Sequence, residues 1–177
     1  MNLKSTLQTV KLLLLAMSLS ALTACASNEG AKHDDTLTGG ALIGVNYTGE
    51  GIQRFSVDES GGGSIGRYSI SGDYCCTMYP KVWTPGLKVT VEWERTDCER
   101  QRHLCTLETA RQDKTPYKII TKTIPIEKYS ELGEVYVVFL PKDEVRVYIS
   151  RVGPKNKDFP TKLGFPQAPT DTNKVKP

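Results

Sequence analysis

Alternation of apolar and polar residues is the clearest pattern in this chain. In segment 87–94 every second residue is apolar, namely Leu87, Val89, Val91 and Trp93. A period of two is typical of a β-strand with one buried face. The nearly continuous apolar run 134–140 is typical of a central strand, and segment 145–150 alternates again. The short polar stretch between these two segments predicts a β-hairpin.

The remaining apolar runs are also short. Strands are predicted at residues 41–47, 52–57, 65–70 and 117–126, and glycine and proline turn signals lie between them, including the run 61–63. No window of twelve residues keeps a helical period, and only 126–132 has room for one short helix. About seven short strands predict an all-β fold, a small β-sandwich or open barrel with antiparallel strands.

The N-terminus has the layout of an export signal. A short basic head is followed by an apolar run at 12–22 and by small residues. The sequence Leu22-Thr23-Ala24-Cys25 resembles the lipobox of bacterial lipoproteins, in which the cysteine is lipidated and becomes the mature N-terminus. An ordinary cleaved signal or a membrane helix is the alternative, but the apolar run is short for a span of about 30 Å.

These features divide the chain into four parts. They are a lipoprotein signal peptide (1–24), a flexible lipid-anchored tether (25–38), a β-rich domain (39–152) and a proline- and lysine-rich tail (153–177). In the tail, Phe159, Leu163 and Phe165 are the residues able to fix it to the domain. Ala26 follows the lipidated position where aspartate favours inner-membrane retention, so we expect anchoring at the periplasmic face of the outer membrane.

Charge gives no sign of a nucleic-acid partner. The formal net charge is +3, and because Lys4 and Lys11 lie in the signal peptide, the rest of the chain is almost neutral. A nucleic-acid surface needs a clear basic excess on one face. The expected membrane contact is therefore through the N-terminal lipid, whose two or three acyl chains hold far better than one.

Four further cysteines predict disulfides in an exported chain. They are Cys75, Cys76, Cys98 and Cys105. Of the three possible connectivities, bonding between the adjacent Cys75 and Cys76 is disfavoured because it would strain the backbone. The other two connect this pair to Cys98 and Cys105, and the sequence does not choose between them. A metal site is disfavoured because the spacing is not Cys-x-x-Cys.

The sequence offers no recognisable catalytic motif, so we predict neither catalytic residues nor a cofactor. His33 lies in the tether, and Asn46-Tyr47-Thr48 matches a glycosylation sequon that has no role in a bacterial lipoprotein. Trp83 and Trp93 are interpreted as packing residues. Loops 58–66 and 96–115 are the expected contact surfaces. In the second loop, charge predicts partner-binding roles for Arg100, Arg102 and His103.

Taken together, these segments resemble a family known as DUF3304 over residues 40–152. The resemblance rests on a central motif that runs from Cys75-Cys76 through Pro80 and Trp83 to Pro85-Gly86. It rests also on segments 44–48, 55–57, 61–63, 89–93 and 135–141. Members are mostly small exported proteins, often lipoproteins. Several are encoded beside type VI secretion genes and are regarded as immunity proteins for lipase effectors.

The resemblance implies a function. The chain would bind a toxic phospholipase of the α/β-hydrolase type in the periplasm and block it, as an anchored and non-catalytic binding protein. Two alternatives stay open: a structural or accessory envelope lipoprotein without a toxin partner, and a lipoprotein that binds a small ligand through Trp83 and other aromatic residues.

Overall fold

The structure is a computed structural model that describes residues 35–97 and 115–169. The chain divides into two units, and the described residues from Thr36 onward belong to the second. The described residues form nine strands: β1 (Leu37–Asn46), β2 (Ile52–Val57), β3 (Ser60–Gly62), β4 (Ser69–Ile70), β5 (Tyr74–Pro80), β6 (Lys88–Thr96), β7 (Tyr117–Pro125), β8 (Glu134–Leu140) and β9 (Glu144–Ser150).

The strands form two sheets, which confirms the predicted β-sandwich. The first sheet has the order β4-β1-β8-β9, with β5 pairing β1 beside β4. The second has the order β3-β2-β6-β7. All pairs of named strands are antiparallel except β1 and β8, which run parallel from Leu42 opposite Val135 to Asn46 opposite Phe139. The whole second sheet is inserted in the chain between these two parallel strands.

The core between the sheets follows the period of two. The first sheet contributes alternate residues of β8 and β9, and the second sheet contributes alternate residues of β2 and β6. Examples are Phe139, Val147, Phe55 and Trp93. Phe55 and Phe139 meet edge to face with ring centroids 5.6 Å apart. At Gly44 a Cβ would lie 2.2 Å from Ile65 Cδ1, so glycine is what lets these layers approach there.

The outer face of the first sheet is also buried. Its residues form a second apolar cluster with the C-terminal segment, comprising Ile43, Val45, Tyr136, Val138, Tyr148 and Phe159. Phe159 is 1% exposed and packs against Tyr136 and Tyr148 at centroid distances of 5.0 and 6.1 Å. The described part of the tail contains no strand, but the buried Phe159 fixes it to the domain. Leu163 and Phe165 are far more exposed.

The main differences between the predicted elements and the structure are two strands and one helix. The β8–β9 hairpin lies where it was expected, and Ile52–Val57 matches its predicted bounds. The predicted strand 65–70 is wrong, since only an isolated bridge at Ile65 and the two-residue β4 form there. β5 was missed because Cys, Thr and Met give it no clear alternation. Segment 126–132 is not helical; Ile126 instead bridges to Val147.

We predict that Phe159→Ala lowers the free energy of unfolding by about 3–5 kcal/mol, because it empties a buried aromatic site. Phe165→Ala is the matched control: that ring is 39% exposed and lies against the Lys155 ammonium at 5.2 Å. Its loss should change stability far less. Urea unfolding of both variants measures the difference, and equal losses would show that Phe159 does not hold the tail.

Candidate functional site

A cleft of about 310 Å³ opens at one end of the sandwich, between the two sheets. Its apolar lining includes Ile52, Trp93 and Phe139, which are core residues that are each 2% exposed. Polar and charged groups surround them, contributed by the β1–β2 and β3–β4 connections, β6, the β8–β9 turn and the start of β9: Tyr47, Glu50, Tyr68, Arg95, Lys142, Asp143 and Glu144. A concave site with an apolar floor and a few polar groups is the usual form of a binding pocket.

Arg95 is the central charged group of the cleft. Its guanidinium donates to Asp143 Oδ1 through Nε at 2.6 Å and to the Thr96 carbonyl through Nη1 at 2.8 Å. A second carboxylate, that of Asp97, lies 3.8 Å from Nη1. Because Arg95 is in β6 and Asp143 follows β8, this ion pair connects the two sheets at the end of the sandwich.

Two lysine side chains of β7 also contact Asp143. Lys118 Nζ lies 2.9 Å from Asp143 Oδ2, and Lys122 Nζ donates to the Asp143 carbonyl at 2.6 Å. Burial raises the pKa of the Asp143 carboxyl, but hydrogen bonds and charge from Arg95 and Lys118 together outweigh it and hold the pKa below its usual value. The carboxylate is therefore ionised under ordinary conditions and fixes the orientation of both cations.

Backbone conformation at the cleft is unusual. Tyr68, Lys142 and Asp143 all have positive φ, at 47°, 63° and 58°. Such conformations are costly for residues other than glycine and persist only where their surroundings hold them, often at functional sites. Here the ion pairs described above hold Asp143, and Lys142 lies in the three-residue turn that closes the β8–β9 hairpin.

Asn46, the last residue of β1, is hydrogen-bonded to residues that line the cleft, Thr48 and Glu50. Its side chain is completely buried, and its Nδ2 donates to the carbonyls of Glu50 and Gly66 at 2.7 and 2.9 Å. Its Oδ1 accepts from the Thr48 amide and hydroxyl at 2.9 and 2.8 Å. The sequon-like triplet is thus a structural turn motif: with both amide hydrogens in use and no exposure, Asn46 is not available for glycosylation.

The described residues on either side of the predicted contact loop lie beside this cleft. Asp97 donates its amide to the Pro116 carbonyl at 2.8 Å, and Thr96 pairs with Tyr117. Thr96 also donates its hydroxyl to the Glu50 carboxylate. The predicted contact residues Arg100, Arg102 and His103 lie outside the described residues, as do Cys25, Cys98 and Cys105.

Of the four cysteines predicted to form disulfides, Cys75 and Cys76 lie within the described residues. Cys75 and Cys76 are bonded to each other, the pairing that the sequence analysis disfavoured. Their peptide bond is cis and the Cα atoms are 3.1 Å apart. Both residues are exposed on β5, away from the residues that line the cleft.

The two tryptophans have different positions. Trp83 is half-buried against the core and donates its indole N–H to the Ile126 carbonyl at 3.0 Å. Trp93 is in the core and forms part of the cleft floor. Of the two side chains expected to pack, Trp93 is therefore the one that lines this cleft.

The described residues contain no group of three or more His, Cys, Asp or Glu side chains arranged to hold a metal ion. Within the same residues, no helix has the length and apolar character needed to cross a bilayer.

Sequence reasoning missed Arg95, Asp143 and Asn46 as parts of one site. The run Val91-Glu92-Trp93-Glu94 shows its alternation clearly, and Arg95 continues the inward face where an apolar residue would be expected. A basic residue on the buried face of a predicted strand calls for an acidic partner. That signal was available, but the partner is 48 residues away and only the fold identifies it.

Comparison with known proteins assigns the family. The family described as "Protein of unknown function (DUF3304)" matches residues 45–147, and the chain therefore belongs to it. The match runs from β1 to β9 and includes the cleft residues from Tyr47 to Glu144. No curated protein and no solved structure matches this chain.

We predict that Asp143→Asn lowers the free energy of unfolding at pH 7 by about 2 kcal/mol, because it leaves the buried Arg95 without its closest carboxylate. A depressed pKa in the folded state means that the carboxylate stabilises the protein above its unfolded pKa of about 4 and that this contribution is lost as the pH falls through the folded value. The difference between the two proteins should therefore shrink in acid.

Glu144→Gln is the control for this prediction. Glu144 pairs with Arg146 at 2.7 Å, but both side chains are about half exposed, at 52% and 50%. Exposed pairs contribute less than about 1 kcal/mol. Denaturant unfolding between pH 2.5 and 7 measures all three proteins. A pH-independent gap between wild type and Asp143→Asn would contradict the assigned role of the carboxylate.

Proposed function

We propose that this chain is a membrane-anchored immunity protein that binds and neutralises a phospholipase effector of a type VI secretion system. The observation that carries the proposal is the position of the charged connection between β6 and β7. Both of its ends are held beside the cleft, by the pairing of Thr96 with Tyr117 and by the Asp97–Pro116 hydrogen bond. The family resemblance, whose implied role is immunity, supports the same proposal.

Neutralisation requires an extensive protein interface. A stable, specific complex buries about 1,600 Å² in total. The end of the sandwich supplies an apolar cleft for a partner side chain, charged groups of both signs around it, and the connection that contains Arg100, Arg102 and His103. Such an arrangement suits a protein that covers the active-site mouth of an α/β-hydrolase or holds its lid closed.

Lipidation of Cys25 places this binding domain where the toxin acts. Anchoring at the periplasmic face of the outer membrane raises the effective concentration of the inhibitor near the lipid substrate. Location is then part of the inhibitory mechanism, because an incoming lipase meets its inhibitor before or as it reaches the bilayer.

The first test is co-expression, directed to the periplasm, with a candidate lipase: a protein with a Gly-x-Ser-x-Gly motif encoded beside the gene for this chain. Cells that produce the lipase alone should lyse, and cells that also produce the full chain should survive. Replacing Arg100, Arg102 and His103 together by alanine should weaken protection, because those charges are the expected contacts of the connection. A lipase that is not toxic and forms no complex with the chain would refute the proposal.

The second test concerns the anchor. Cys25→Ser should move the protein from the membrane fraction to the soluble periplasmic fraction, because no thiol remains for lipidation. Complex formation with the lipase in extracts should be unchanged, while protection in cells should fall. Fractionation and survival assays measure both properties. If Cys25→Ser remained in the outer-membrane fraction, the anchor assignment would be wrong.

The cleft itself favours a second candidate, a lipoprotein that binds a small ligand. Its volume of about 310 Å³ and its floor of Trp93 and Phe139 suit a compact, partly apolar molecule. Trp83→Phe leaves Trp93 as the sole tryptophan, so that its fluorescence reports directly on the cleft. Saturable quenching by small molecules, together with no complex between this chain and the lipase, would favour this reading over immunity.

A further inference from the structure

The edge strands of the sandwich differ in length and regularity. β3 and β4 have only three and two residues, and the pairing of β5 with β1 contains a register shift. β9 is bridged at Val147 by Ile126. β7 differs from all of these, because it is nine residues long and pairs with β6 without any register shift. Short or irregular edges resist pairing with other chains, whereas a long, regular edge is a template for a further strand.

The edge of β7 that faces away from β6 is unpaired along its middle. β7 is the last strand of the second sheet, and no described strand pairs with Ile119, Thr121 or Thr123 from that side. All three residues are exposed, Ile119 by 57%. Among the described strands, this edge is therefore the long and regular one that an extended chain could join.

Hydrogen bonds at the two ends of β7 show which of its residues direct their backbone groups outward. The Asp97 amide donates to the Pro116 carbonyl, and the Ile126 amide donates to the Leu87 carbonyl. Hydrogen-bonded pairs alternate along antiparallel strands, so the even-numbered residues of β7 bond to β6. The odd-numbered residues from 119 to 123 therefore point their N–H and C=O groups away from β6, toward the unpaired side.

The lysines of β7 do not obstruct this edge. Lys118 and Lys122 are opposite Arg95 and Val91 of β6, so their side chains are on the inner face of the sheet. Lys118 Nζ lies 2.9 Å from Asp143 Oδ2, and Lys122 Nζ donates to the Asp143 carbonyl at 2.6 Å. Charged side chains on an edge normally keep other strands away. Here both ammonium groups are held by Asp143, and that protection is reduced.

The edge is complementary to a second copy of itself. In an antiparallel pair of β7 strands with Thr121 facing Thr121, Ile119 of each copy faces Thr123 of the other. All the outward-directed residues from 119 to 123 then form hydrogen-bonded pairs, each exchanging both of its N–H···O bonds. No backbone group in this stretch is left without a partner on the other copy.

Charge favours the same register over its two neighbours. With Thr121 on the two-fold axis, Lys118 faces Ile124 and Lys122 faces Ile120 of the other copy. Moving the axis to Ile120 brings Lys118 opposite Lys122, and moving it to Lys122 brings two Lys122 side chains together. Like charges directly opposite each other are destabilising. Of these three registers, the one centred on Thr121 is therefore the favourable one.

We propose that this chain forms a two-fold symmetric dimer through the free edge of β7, with Thr121 on the axis, so that two four-stranded sheets become one continuous sheet. The inference goes beyond the proposed function and does not rest on it. A seam of one strand buries less than the about 1,600 Å² of a standard interface, so the dimer depends on protein concentration. The exposed Ile119 adds apolar contact at the seam.

The first experiment determines the register by disulfide cross-linking of the full chain. Thr121→Cys should give covalent dimers on oxidation, because the Cα atoms of a hydrogen-bonded pair are about 5.5 Å apart, within reach of a disulfide. Thr123→Cys alone should give none above wild type, since its equivalent on the other copy is about 14 Å away along the strand. A mixture of Ile119→Cys and Thr123→Cys should cross-link again. Wild type sets the background from the native cysteines.

The second experiment measures association. Thr121→Pro removes an N–H that points away from β6, a position at which an edge strand tolerates proline. The dimer Kd should rise by at least about tenfold, because the symmetric hydrogen bonds of Thr121 are lost. Thr121→Lys is a second variant in case the proline variant does not fold, and it places two ammonium groups at the axis. Gln53→Lys, exposed on β2, is the matched control.

Sedimentation equilibrium of the purified full chain in mild detergent gives the Kd of each variant, and thermal unfolding shows which variants are folded. Dimers of Thr121→Cys, with weaker association of folded Thr121→Pro or Thr121→Lys and unchanged Gln53→Lys, support the proposal. A wild-type chain that stays monomeric at every concentration refutes it. Dimers that form equally well in all the β7 variants would place the contact elsewhere and also overturn it.

Hydrogen exchange of the outward amides of β7 distinguishes the possible occupants of this edge. Protection of the Ile119, Thr121 and Thr123 amides that grows with protein concentration supports pairing with a second copy. Fast exchange at every concentration contradicts it. Protection that does not depend on concentration would assign the edge to another segment of the same chain, and the dimer would again be refuted. The proposed function stands in each of these cases, because neutralisation of a lipase is measured separately.

Discussion

Burial of β8 on both of its faces is the constraint on which the rest of the structure depends. Val135, Val137 and Phe139 enter the core between the sheets, while Tyr136 and Val138 enter the cluster beneath Phe159. A strand buried on both faces needs neighbours on both edges and cover on both sides. β1 pairs with one edge of β8 in parallel, and β9 pairs with the other edge through a hairpin. The second sheet packs on one face of β8, and the tail packs on the other.

This arrangement explains why the two sheets have different surfaces. The first sheet is apolar on both sides and needs the C-terminal segment to be shielded from water. The second sheet is apolar only on its inner side, and the polar residues on its outer side are already compatible with solvent. The domain is consequently left with one sheet surface on which charge and shape are free to serve recognition rather than stability.

The end of the sandwich places stabilising ion pairs beside the candidate binding cleft. Arg95 and Asp143 connect the sheets, and the cations gathered around Asp143 come from β6 and β7. The same groups surround the cleft and lie beside the strand ends from which the charged connection leaves. A partner that bound here would contact a part of the molecule that ion pairs hold rigid, which lowers the entropic cost of association.

The sequence by itself determined the local structure where the hydrophobic period is regular. The strands 52–57, 88–96 and 144–150 follow from alternation, because a pleated strand exposes successive residues to opposite environments, and the continuous apolar run 134–140 indicates a strand buried on both faces. It failed where this signal is absent: β5 carries Cys75, Cys76 and Thr77, and residues 65–70 are apolar at both ends but turn in between. Tertiary structure alone decided that β1 and β8 run parallel, that Asp143 is the partner of Arg95, and that Phe159 covers the outer face of the first sheet. These are contacts between residues tens of positions apart, and no local pattern specifies which distant groups will meet.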